Sequence, residues 1–529
     1  MSQFKGRSNV FYFTLGLAVF VFAAFVRSAY LSHFPPQIHN DEASTVTRGF
    51  RLVSEWTLSK IFSGSEFGGH PSFGFWLASL PSAFFGEEST WTLRLSSAVI
   101  GTLSLLFFTL FVGRAYGARV ALVSLMVCAP FHLHVHYSRT GFIYIHAVLM
   151  AAVVSYAFVR FLQRASAVWA FLTGLSMGLA MLVYPATQVL PIGMIAAVVL
   201  GVLPATASTR VLLASPKRFL LLTLCGILGG LVTFGAQLNH IISHGYLSRL
   251  NSTYILQPHN IKHLSSVMKV QNPSNLEVTW FNILQTLKFF YASDSGEQYN
   301  FTWSPLPIWM GVFAILGFGI LVARSFKREP SSIYIVSIAL ATFFASAMMV
   351  EGNFSPHLVI FSLLLPLFCA IGIDSAVSRA RGLQGWAVNL ILIGGLALWS
   401  YWNWGYYNKV INPLRPRIAT IETRFLNLPI DNLAVKRFVN LSTYDIKFDE
   451  SHIEFVYPNG SESVVAAGSP LERAGAMELE RSGAMLVLVD LSAVEQVTDL
   501  LSKRGAVVSR YDYPGVPLSF IHLETSSSS

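Results

Sequence analysis

The sequence predicts an α-helical polytopic membrane protein that ends in a small α/β domain. Hydrophobic residues make up 53% of the 529 residues and charged residues only 12%, against about 25% charged residues in an average soluble protein. The mean hydropathy is +0.54, and long stretches of the chain carry no charge. A water-soluble globule could not bury that much apolar surface and still cover itself with polar groups. An array of ordinary soluble domains is therefore excluded.

The positive net charge does not indicate a nucleic-acid-binding protein. The formal net charge is +9, but the lysines and arginines lie in short clusters between apolar segments and form no single basic stripe. That distribution is the positive-inside pattern of membrane proteins. The three cysteines, Cys128, Cys225 and Cys369, lie in apolar runs, so we expect buried free thiols and no disulfide framework.

About eleven segments are long and apolar enough to cross a membrane, since a spanning helix needs about 20 predominantly apolar residues. They cover approximately residues 10–30, 92–112, 118–136, 143–162, 167–184, 187–203, 219–238, 305–323, 332–350, 357–377 and 386–404. The first segment is longer than the apolar core of a signal peptide and has no clear cleavage site, so we interpret it as a retained signal anchor.

Basic residues in the short loops predict the orientation. Lys5 and Arg7 fall on the same side as the basic clusters of the other short loops: Arg114 and Arg119, Arg160 and Arg164, Arg210 to Arg218, Arg324 to Arg328, and Arg379 with Arg381. By the positive-inside rule this side is cytoplasmic. Two large loops, residues 31–91 and 239–304, and the C-terminal tail then face outward from the plasma or inner membrane.

We expect a transmembrane domain over residues 1–404 and an extracytoplasmic α/β domain over residues 405–529. The apolar run Met485 to Asp490 has the pattern of a buried strand. The other elements expected in the tail are a helix from Val494 to Lys503 and strands near residues 506–508 and 520–523.

The first outward loop carries two adjacent carboxylates, Asp41 and Glu42, directly after the first predicted span. Adjacent acids can divide labour, with one accepting a proton while the other orients a substrate or pairs with a cation. Carboxylates left unpaired in a cavity beside a membrane are costly. For the dipeptide alone, the alternative interpretation is a solvated turn with two incidental acids.

The order of motifs in the outward regions resembles a known family. The motifs are Asp41-Glu42, His70-Pro71, Phe85-Gly86, Arg94-Leu95, Tyr137-Ser138-Arg139, Tyr184-Pro185, the stretch from Asp294 to Asn300, and Pro356-His357. This order resembles the GT-C glycosyltransferases, and more closely the protein O-mannosyltransferases and lipid A aminoarabinose transferases of the family 39-like group. The resemblance covers most of residues 10–380.

The resemblance implies a GT-C fold and an inverting transfer of a sugar from a polyprenyl-phosphate carrier to a lipid, glycan or protein acceptor on the outer face. It assigns the general base to Asp41 and acceptor or sugar binding to Glu42. The chemistry is consistent, because an acceptor hydroxyl is a poor nucleophile until a positioned base takes its proton. Inversion needs that base on the face opposite the leaving phosphate.

The leaving phosphate develops negative charge and requires cationic partners. The outward candidates are Arg94, Arg139, His70 and His357. Arg139 lies at a predicted span boundary, where contact with lipid phosphates is the alternative. His357 stands where relatives often carry arginine, and a neutral histidine there would weaken the phosphate clamp.

The resemblance also implies substrate contacts from Tyr184 and, in the second large loop, from Asp294 and Tyr299. A turn capped by Asp294 is the alternative in that loop. Residues 255–290 mix aromatic and basic residues, which predicts an interfacial helix that guides the lipid tail.

We predict neither a cofactor nor a metal ion. His132 and His136 would share one face of a helix whereas His134 would not, so the three do not form a three-ligand site by themselves. The expected partners are membrane lipid, a polyprenyl-phosphate sugar donor and the acceptor, with no nucleic acid.

A transporter or flippase for lipid-linked sugars is the alternative function. Transporters place charged residues near the bilayer midplane on broken helices. The predicted spans here are nearly free of Asp and Glu, and the carboxylates cluster in the loops. This distribution favours the transferase, while an inactive structural homologue stays open.

Overall fold

The computed structural model of the protein describes most of the chain. The described residues are 2–31, 40–55, 57–66, 70–86, 90–202, 215–244, 253–291, 304–350, 352, 356–379, 394–405, 435–440, 461–464, 484–490, 492–504, 506–512 and 518–525. The chain divides into two compact units, Met1–Pro35 with Gly49–Asn412, and Pro36–Arg48 with Pro413–Ser529. The segment around Asp41 is thus grouped with the tail, which the predicted boundary at residue 404 did not anticipate.

The larger unit is helical. Its helices, in chain order, are α1 (Ser2–Ser28), α2 (Asn40–Glu55, which begins in the smaller unit), α3 (Leu58–Ser63), α4 (Ser72–Ala78), α5 (Leu80–Phe85), α6 (Thr90–Tyr116), α7 (Ala118–Cys128), α8 (His132–Arg139), α9 (Tyr144–Arg164), α10 (Ala167–Met181), α11 (Leu190–Ala196), α12 (Pro216–His244), α13 (Pro258–Met268), α14 (Asn275–Lys288), α15 (Ile308–Phe326), α16 (Pro330–Ala347) and α17 (Phe361–Arg379). A 3₁₀ turn at Pro185–Val189 precedes α11, and a π-helical turn at Ala197–Val202 follows it.

Seven helices within the described residues are long and apolar enough to span a membrane, or eight if α7 and α8 form one bent span. Two shorter apolar helices, Phe13–Ser28 and Ala167–Met181, coincide with further predicted spans. The last predicted span, residues 386–404, is described only from residue 394. The protein is therefore a polytopic membrane protein, and the number of eleven spans stays a prediction.

The predicted span over residues 118–136 is broken. α7 ends at Cys128, α8 begins at His132, and the two helix axes differ by 64°. Pro130 lies between them, and proline both lacks a backbone donor and clashes with the preceding helical turn. The break leaves the last carbonyl groups of α7 without partners inside the helix, so donors from elsewhere must satisfy them.

Glycines allow two pairs of spanning helices to touch through their backbones. A Cβ atom on Gly174 of α10 would lie 1.8 Å from the carbonyl oxygen of Gly226 in α12. A Cβ atom on Gly317 of α15 would lie 1.8 Å from the carbonyl oxygen of Phe368 in α17. Membrane helices associate by close packing, since lipid supplies no hydrophobic force between them. Larger residues at these positions would separate the helices.

Burial distinguishes the central spanning helices from the peripheral ones. Inside the structure, 78% of the α9 span is buried, against 17% of the α12 span. The large apolar side chains on α12, such as Leu228 and Leu231, are more than half exposed. Exposed apolar side chains on a spanning helix are expected where lipid is the solvent, so α12 lies at the protein–lipid boundary.

The smaller unit contains a five-stranded mixed sheet and one described amphipathic helix. Its strands are β3 (Val435–Asn440), β4 (Ser461–Val464), β5 (Ala484–Asp490), β6 (Ala506–Asp512) and β7 (Leu518–Thr525), after the two-residue strands β1 (Ser65–Glu66) and β2 (His70–Pro71) of the larger unit. The order is β4-β3-β5-β7-β6, with β3 parallel to β4 and β5, and β7 antiparallel to its neighbours.

The helix of the smaller unit, α18 (Val494–Lys503), packs on this sheet. It buries Val494, Val497 and Leu501 with Val487 and Val489 of β5. The three helix residues recur at a spacing of three to four, which is the apolar face of an amphipathic helix. Strand β5, helix α18 and strands β6 and β7 lie where the sequence pattern predicted a strand, a helix and two further strands.

Candidate active site

Two predicted phosphate ligands, Arg94 and Arg139, meet at the C-terminal end of α1. Arg139 donates from Nη1 to the carbonyl oxygen of Val26 and from Nη2 to that of Ala29, each at 2.6 Å. Arg94 donates from Nη1 to the carbonyl oxygen of Leu31 at 3.3 Å. Both side chains are buried: Arg139 is 5% exposed and Arg94 is 0% exposed. Arg139 therefore does not reach out to lipid phosphates, which was the alternative interpretation.

A third buried arginine, Arg27, lies at the same place and was not singled out from the sequence. Its Nη1 donates to the carbonyl oxygens of Ala23 and Ala129, each at 2.9 Å, and its Nη2 donates to that of Cys128 at 3.3 Å. Arg27 thus donates to the carbonyl of Ala129 at the α7–α8 break and adds a second donor to that of Cys128, which also accepts from the backbone nitrogen of Phe131 at 3.2 Å. A charged residue in the last turn of an apolar helix is itself a sequence signal for a functional position.

Arginines cap the C-terminal ends of both α7 and α1. Arg27, in the last turn of α1, binds the end of α7, while Arg139, the last residue of α8, binds the end of α1. The C-terminal end of a helix carries a partial negative charge, which a cation stabilises. With Arg94, three buried guanidinium groups donate to carbonyl oxygens of α1 or of the residues that directly follow it. Buried positive charge of this kind can stabilise an anion, because the local dielectric constant is low.

His134 links this arginine group to α6. Its Nδ1 lies 2.9 Å from Nη2 of Arg27, and its Nε2 lies 2.9 Å from Oγ of Ser104. A guanidinium only donates hydrogen bonds, so Nδ1 must accept and the ring proton belongs on Nε2. Ser104 accepts from Nε2 and donates its own hydroxyl to the carbonyl oxygen of Gly101 at 2.7 Å. The hydrogen bonds therefore specify a neutral, donor–acceptor imidazole.

The other histidines of α8 have separate surroundings. The amide of Asn403 donates to the carbonyl oxygen of Trp399 at 2.7 Å, which orients its Oδ1 towards His132. That oxygen lies 2.8 Å from both the backbone nitrogen and Nδ1 of His132. The ring of His136 packs edge-on against Tyr137. Within the described part of the chain, no group of three His, Cys, Asp or Glu residues is arranged to hold a metal ion.

Two other predicted site residues, His70 and Tyr184, stack on each other. Their ring centroids are 5.3 Å apart at an angle of 26°, and both residues are 5% exposed. Tyr184 also contacts Tyr144 edge-on at 4.9 Å, and Tyr144 contacts Tyr137 at 5.5 Å. His70 is held by the short β1–β2 pairing, and α4 begins two residues later. Contacts among His70, Tyr144 and Tyr184 thus join the segment before α4 to α9 and to the turn after α10.

Asp41 and Glu42 lie in the first turn of α2, where the positive end of the helix dipole favours negative charge. Adjacent helical residues point about 100° apart. Accordingly, Glu42 is buried at 1% exposure while Asp41 is half-buried. Thr45 donates from Oγ1 to the backbone carbonyl of Asp41 at 2.6 Å. Glu42 is thus not a solvated loop side chain, and the two acids have different surroundings.

Close packing fixes the second half of α2. A Cβ atom on Gly49 would lie 2.0 Å from Oγ of Ser79 and 2.1 Å from the carbonyl oxygen of Phe75. The second half of α2, which belongs to the larger unit, therefore packs directly against α4 and the residue that follows it. Of the remaining predicted site residues, only His357 lies within the described part of the chain. His357 lies half-buried in the turn before α17, and Asp294 and Tyr299 lie outside the described residues.

Part of this sequence matches a known family. Residues 69–230 match the sequence model of the dolichyl-phosphate-mannose-protein mannosyltransferase family. The matched segment is a minority of the chain, but it includes His70, Arg94, Arg139 and Tyr184. No curated protein matches the sequence.

Solved structures share the fold over nearly the whole chain. The apo form of ArnT from Cupriavidus metallidurans superposes with a TM-score of 0.53 at 13% identity, covering 98% of this chain and 99% of that one. The same enzyme bound to undecaprenyl phosphate gives 0.52 at 12% identity, covering 97% and 98%. The Archaeoglobus fulgidus oligosaccharyltransferase tethered with an acceptor peptide gives 0.51 at 12% identity, covering 96% of this chain and 74% of that chain.

At these identities the superpositions establish the fold. The family match over residues 69–230 adds sequence similarity in the region that holds Arg94, Arg139 and the aromatic stack. The resemblance that the loop motifs predicted is confirmed: the chain is a membrane protein of the GT-C glycosyltransferase fold, similar to the protein O-mannosyltransferases and to ArnT.

Proposed function

We propose that this protein transfers a sugar, with inversion, from a polyprenyl-phosphate carrier to an acceptor on the outer face of the membrane. The observation that carries the proposal is the group of three buried arginines, Arg27, Arg94 and Arg139, at the end of α1. The matched family is named for a dolichyl-phosphate-linked sugar donor. The similar ArnT structure contains undecaprenyl phosphate.

The arginines favour departure of a phosphate. Breaking the bond between the anomeric carbon and the phosphate oxygen leaves the electron pair, and therefore negative charge, on the carrier. Preorganised cations stabilise such charge most effectively in a low-dielectric, water-excluded site. Because their hydrogen bonds to backbone carbonyls hold these guanidinium groups in place, they need no reorganisation when the charge develops.

Asp41 is the proposed general base. Its carboxylate takes the proton of the acceptor nucleophile as that atom forms a bond to the anomeric carbon, on the face opposite the leaving phosphate. Partial exposure suits this role, since the acceptor must reach the carboxylate. Glu42, which is almost fully buried, orients the acceptor or the sugar.

His70 and Tyr184 are proposed to shape the substrate-binding region. Stacked aromatic rings present an apolar surface with polar edges, which suits the faces of a sugar ring. Both residues lie within the matched segment. His357, Asp294 and Tyr299 remain proposed substrate contacts.

A flippase for lipid-linked sugars is the second candidate, and the α7–α8 break favours it. Broken spanning helices with charged groups at the break are typical of transporters. In this protein, however, Arg27 caps the end of α7, and the described helices with spanning length and composition contain few acidic residues. The two candidates differ in outcome, because only the transferase forms a new glycosidic bond.

The test is a reaction of the purified full-length protein with a panel of hexosyl and pentosyl polyprenyl phosphates and lipid, glycan and peptide acceptors. Mass spectrometry would detect glycosylated acceptor and free polyprenyl phosphate in equal amounts. In parallel, the protein would be reconstituted into vesicles with a fluorescent lipid-linked sugar. Translocation of the lipid without any transfer product would support the flippase and contradict the transferase.

A further inference from the structure

α14 buries polar as well as apolar residues: its buried side contains Val278, Asn282 and Thr286. Its buried side includes two polar residues, Asn282 and Thr286, at 1% and 0% exposure. Asn282 donates from Nδ2 to the carbonyl oxygens of Ala347 and Met349, at 2.6 and 2.7 Å. Its Oδ1 accepts from the backbone nitrogen of Gly352 at 3.4 Å. The polar side of α14 thus binds the end of α16 and the chain that follows it.

The exposed side of the same helix carries a row of apolar residues. Large apolar side chains recur at intervals of four, four, three and four residues, which places them along one helical stripe. We call this the apolar stripe: Leu276, Trp280, Leu284 and Leu287 of α14, continued by Tyr291 in the turn that follows the helix, with exposures of 78%, 60%, 42%, 42% and 67%. Contiguous exposed apolar surface marks a contact with another molecule or with lipid.

The position of α14 points to lipid. Asn282 joins it to Ala347, the last residue of the spanning helix α16. The last turns of α16 also expose apolar side chains, Leu340 at 45% and Phe344 at 51%. The 14 residues of α14 extend about 21 Å at 1.5 Å per residue, which is less than the roughly 30 Å hydrocarbon core. The helix is therefore too short to cross the membrane, and its middle lies beside the end of a spanning helix.

Its polar residues fit a boundary position. Beside Leu276, the N-terminal turn of α14 exposes Asn275 and Glu277. The backbone nitrogen and hydroxyl of Ser274 donate to Glu277, which lowers the pKa of that carboxyl. Exposed Lys262 and Lys269 lie on and just after α13, where they can meet lipid phosphates. Tryptophan and tyrosine are enriched at membrane interfaces, and the stripe contains one of each.

We propose that the apolar stripe of α14 is immersed in the acyl-chain region of the bilayer, at the level of the end of α16. Lipid hydrocarbon is its partner. The composition of residues 255–290 predicted an interfacial helix. The structure adds which side of α14 faces the lipid, namely the apolar stripe, and which residue, Asn282, binds the end of α16. The inference does not depend on the transferase activity.

Trp280 provides a native probe. The sequence contains eleven tryptophans, so the spectrum of the Trp280→Phe variant would be subtracted from that of the wild type, both reconstituted in phosphatidylcholine vesicles. The same vesicles would be made with bromine on the acyl chains, which quenches only tryptophans in contact with lipid. We expect the Trp280 signal to be blue-shifted, to lose most of its intensity in brominated lipid, and to resist iodide.

Trp399→Phe is the matched control, because Trp399 is 1% exposed and donates to the carbonyl oxygen of Val127. Its difference signal should resist both quenchers. If iodide quenches Trp280 and brominated lipid does not, the stripe faces water and the proposal is wrong. If neither reagent quenches Trp280, protein covers the stripe, which also contradicts the proposal.

Discussion

At the scale of single residues, a broken membrane helix here is stabilised by a buried cation. Pro130 interrupts the run over residues 118–136, and Arg27 satisfies the carbonyls of Cys128 and Ala129. The contacts are specific to arginine, whose planar guanidinium offers donors in several directions. The same cation is proposed to favour departure of a phosphate. Arg27 would then have both a structural role at the helix break and a role in the reaction.

Replacing Arg27 by leucine should destabilise the protein. The change removes the described donor to the carbonyl oxygen of Ala129 and one of two donors to that of Cys128, and a buried carbonyl left without a donor costs about 1–3 kcal/mol. We expect a clear fall in the midpoint of thermal unfolding in detergent, measured by intrinsic fluorescence. Arg379→Leu is the control, since that exposed side chain binds only Ser375 of its own helix among the contacts described. Equal melting of wild type and Arg27→Leu would contradict the capping role.

The sequence predicted the residue types of the site better than their bonding. Arg94 and Arg139 could be selected because outward cations near span ends are few, and the structure brings both to the end of α1. Their binding to backbone carbonyls was not predictable, since it depends on the path of the chain after α1. Arg27 was missed because it lies inside the predicted span over residues 10–30. The burial of Glu42 was likewise hidden, since the loop around it was not expected to begin a helix.

At the scale of secondary-structure elements, hydropathy predicted the helices well because lipid leaves few alternatives to a fully hydrogen-bonded helix. The π-helical turn at Ala197–Val202 and the split of the 118–136 segment were missed. Pro130 was a signal for the split, since proline ends a helix at the preceding turn. The close helix contacts at Gly174 and Gly317 could not be predicted, because the sequence does not show which helices are neighbours.

Gly317→Val should disrupt the contact between α15 and α17. The added side chain would meet the carbonyl oxygen of Phe368. Overpacking of this kind typically costs about 1–3 kcal/mol, so we expect a lower yield of folded protein. Gly319→Val, on the same helix, is the control because nothing lies within 4 Å of its Cβ position. Detergent-extracted yield and monodispersity would be compared. Similar behaviour of the two variants would contradict the packing contact.

At the scale of the whole molecule, charge distribution predicts how the chain lies in the membrane. The basic clusters in the short loops place the N-terminus in the cytoplasm and the C-terminal sheet outside. A reporter fused after Arg328 should therefore register cytoplasm, and one fused after Ser529 should register the exterior. Alkaline phosphatase and fluorescent-protein fusions distinguish the two compartments. A cytoplasmic C-terminus would mean that the number of spans is wrong by one.

Metal independence is a second prediction for the whole protein. The proposed transfer depends on arginine and carboxylate side chains, and the nitrogens of His134 are committed to Arg27 and Ser104. Transfer by the purified enzyme should therefore continue in excess EDTA, measured as product per enzyme over time. Complete loss of activity that manganese or magnesium restores would show that a metal ion takes part.

The most direct measurement is the turnover of Asp41→Asn on the donor and acceptor that the wild type uses. Asparagine keeps the size of the side chain but cannot take a proton, and removing a general base typically costs about 10²- to 10⁴-fold in rate. Glu42→Gln, the matched neighbour, should lose less kcat and more of its effect in KM, because an orienting residue mainly affects binding. We expect Asp41→Asn to bind the donor as the wild type does while turnover falls by at least about 100-fold. Near-native turnover of this variant would show that Asp41 is not the base and that the active site lies elsewhere.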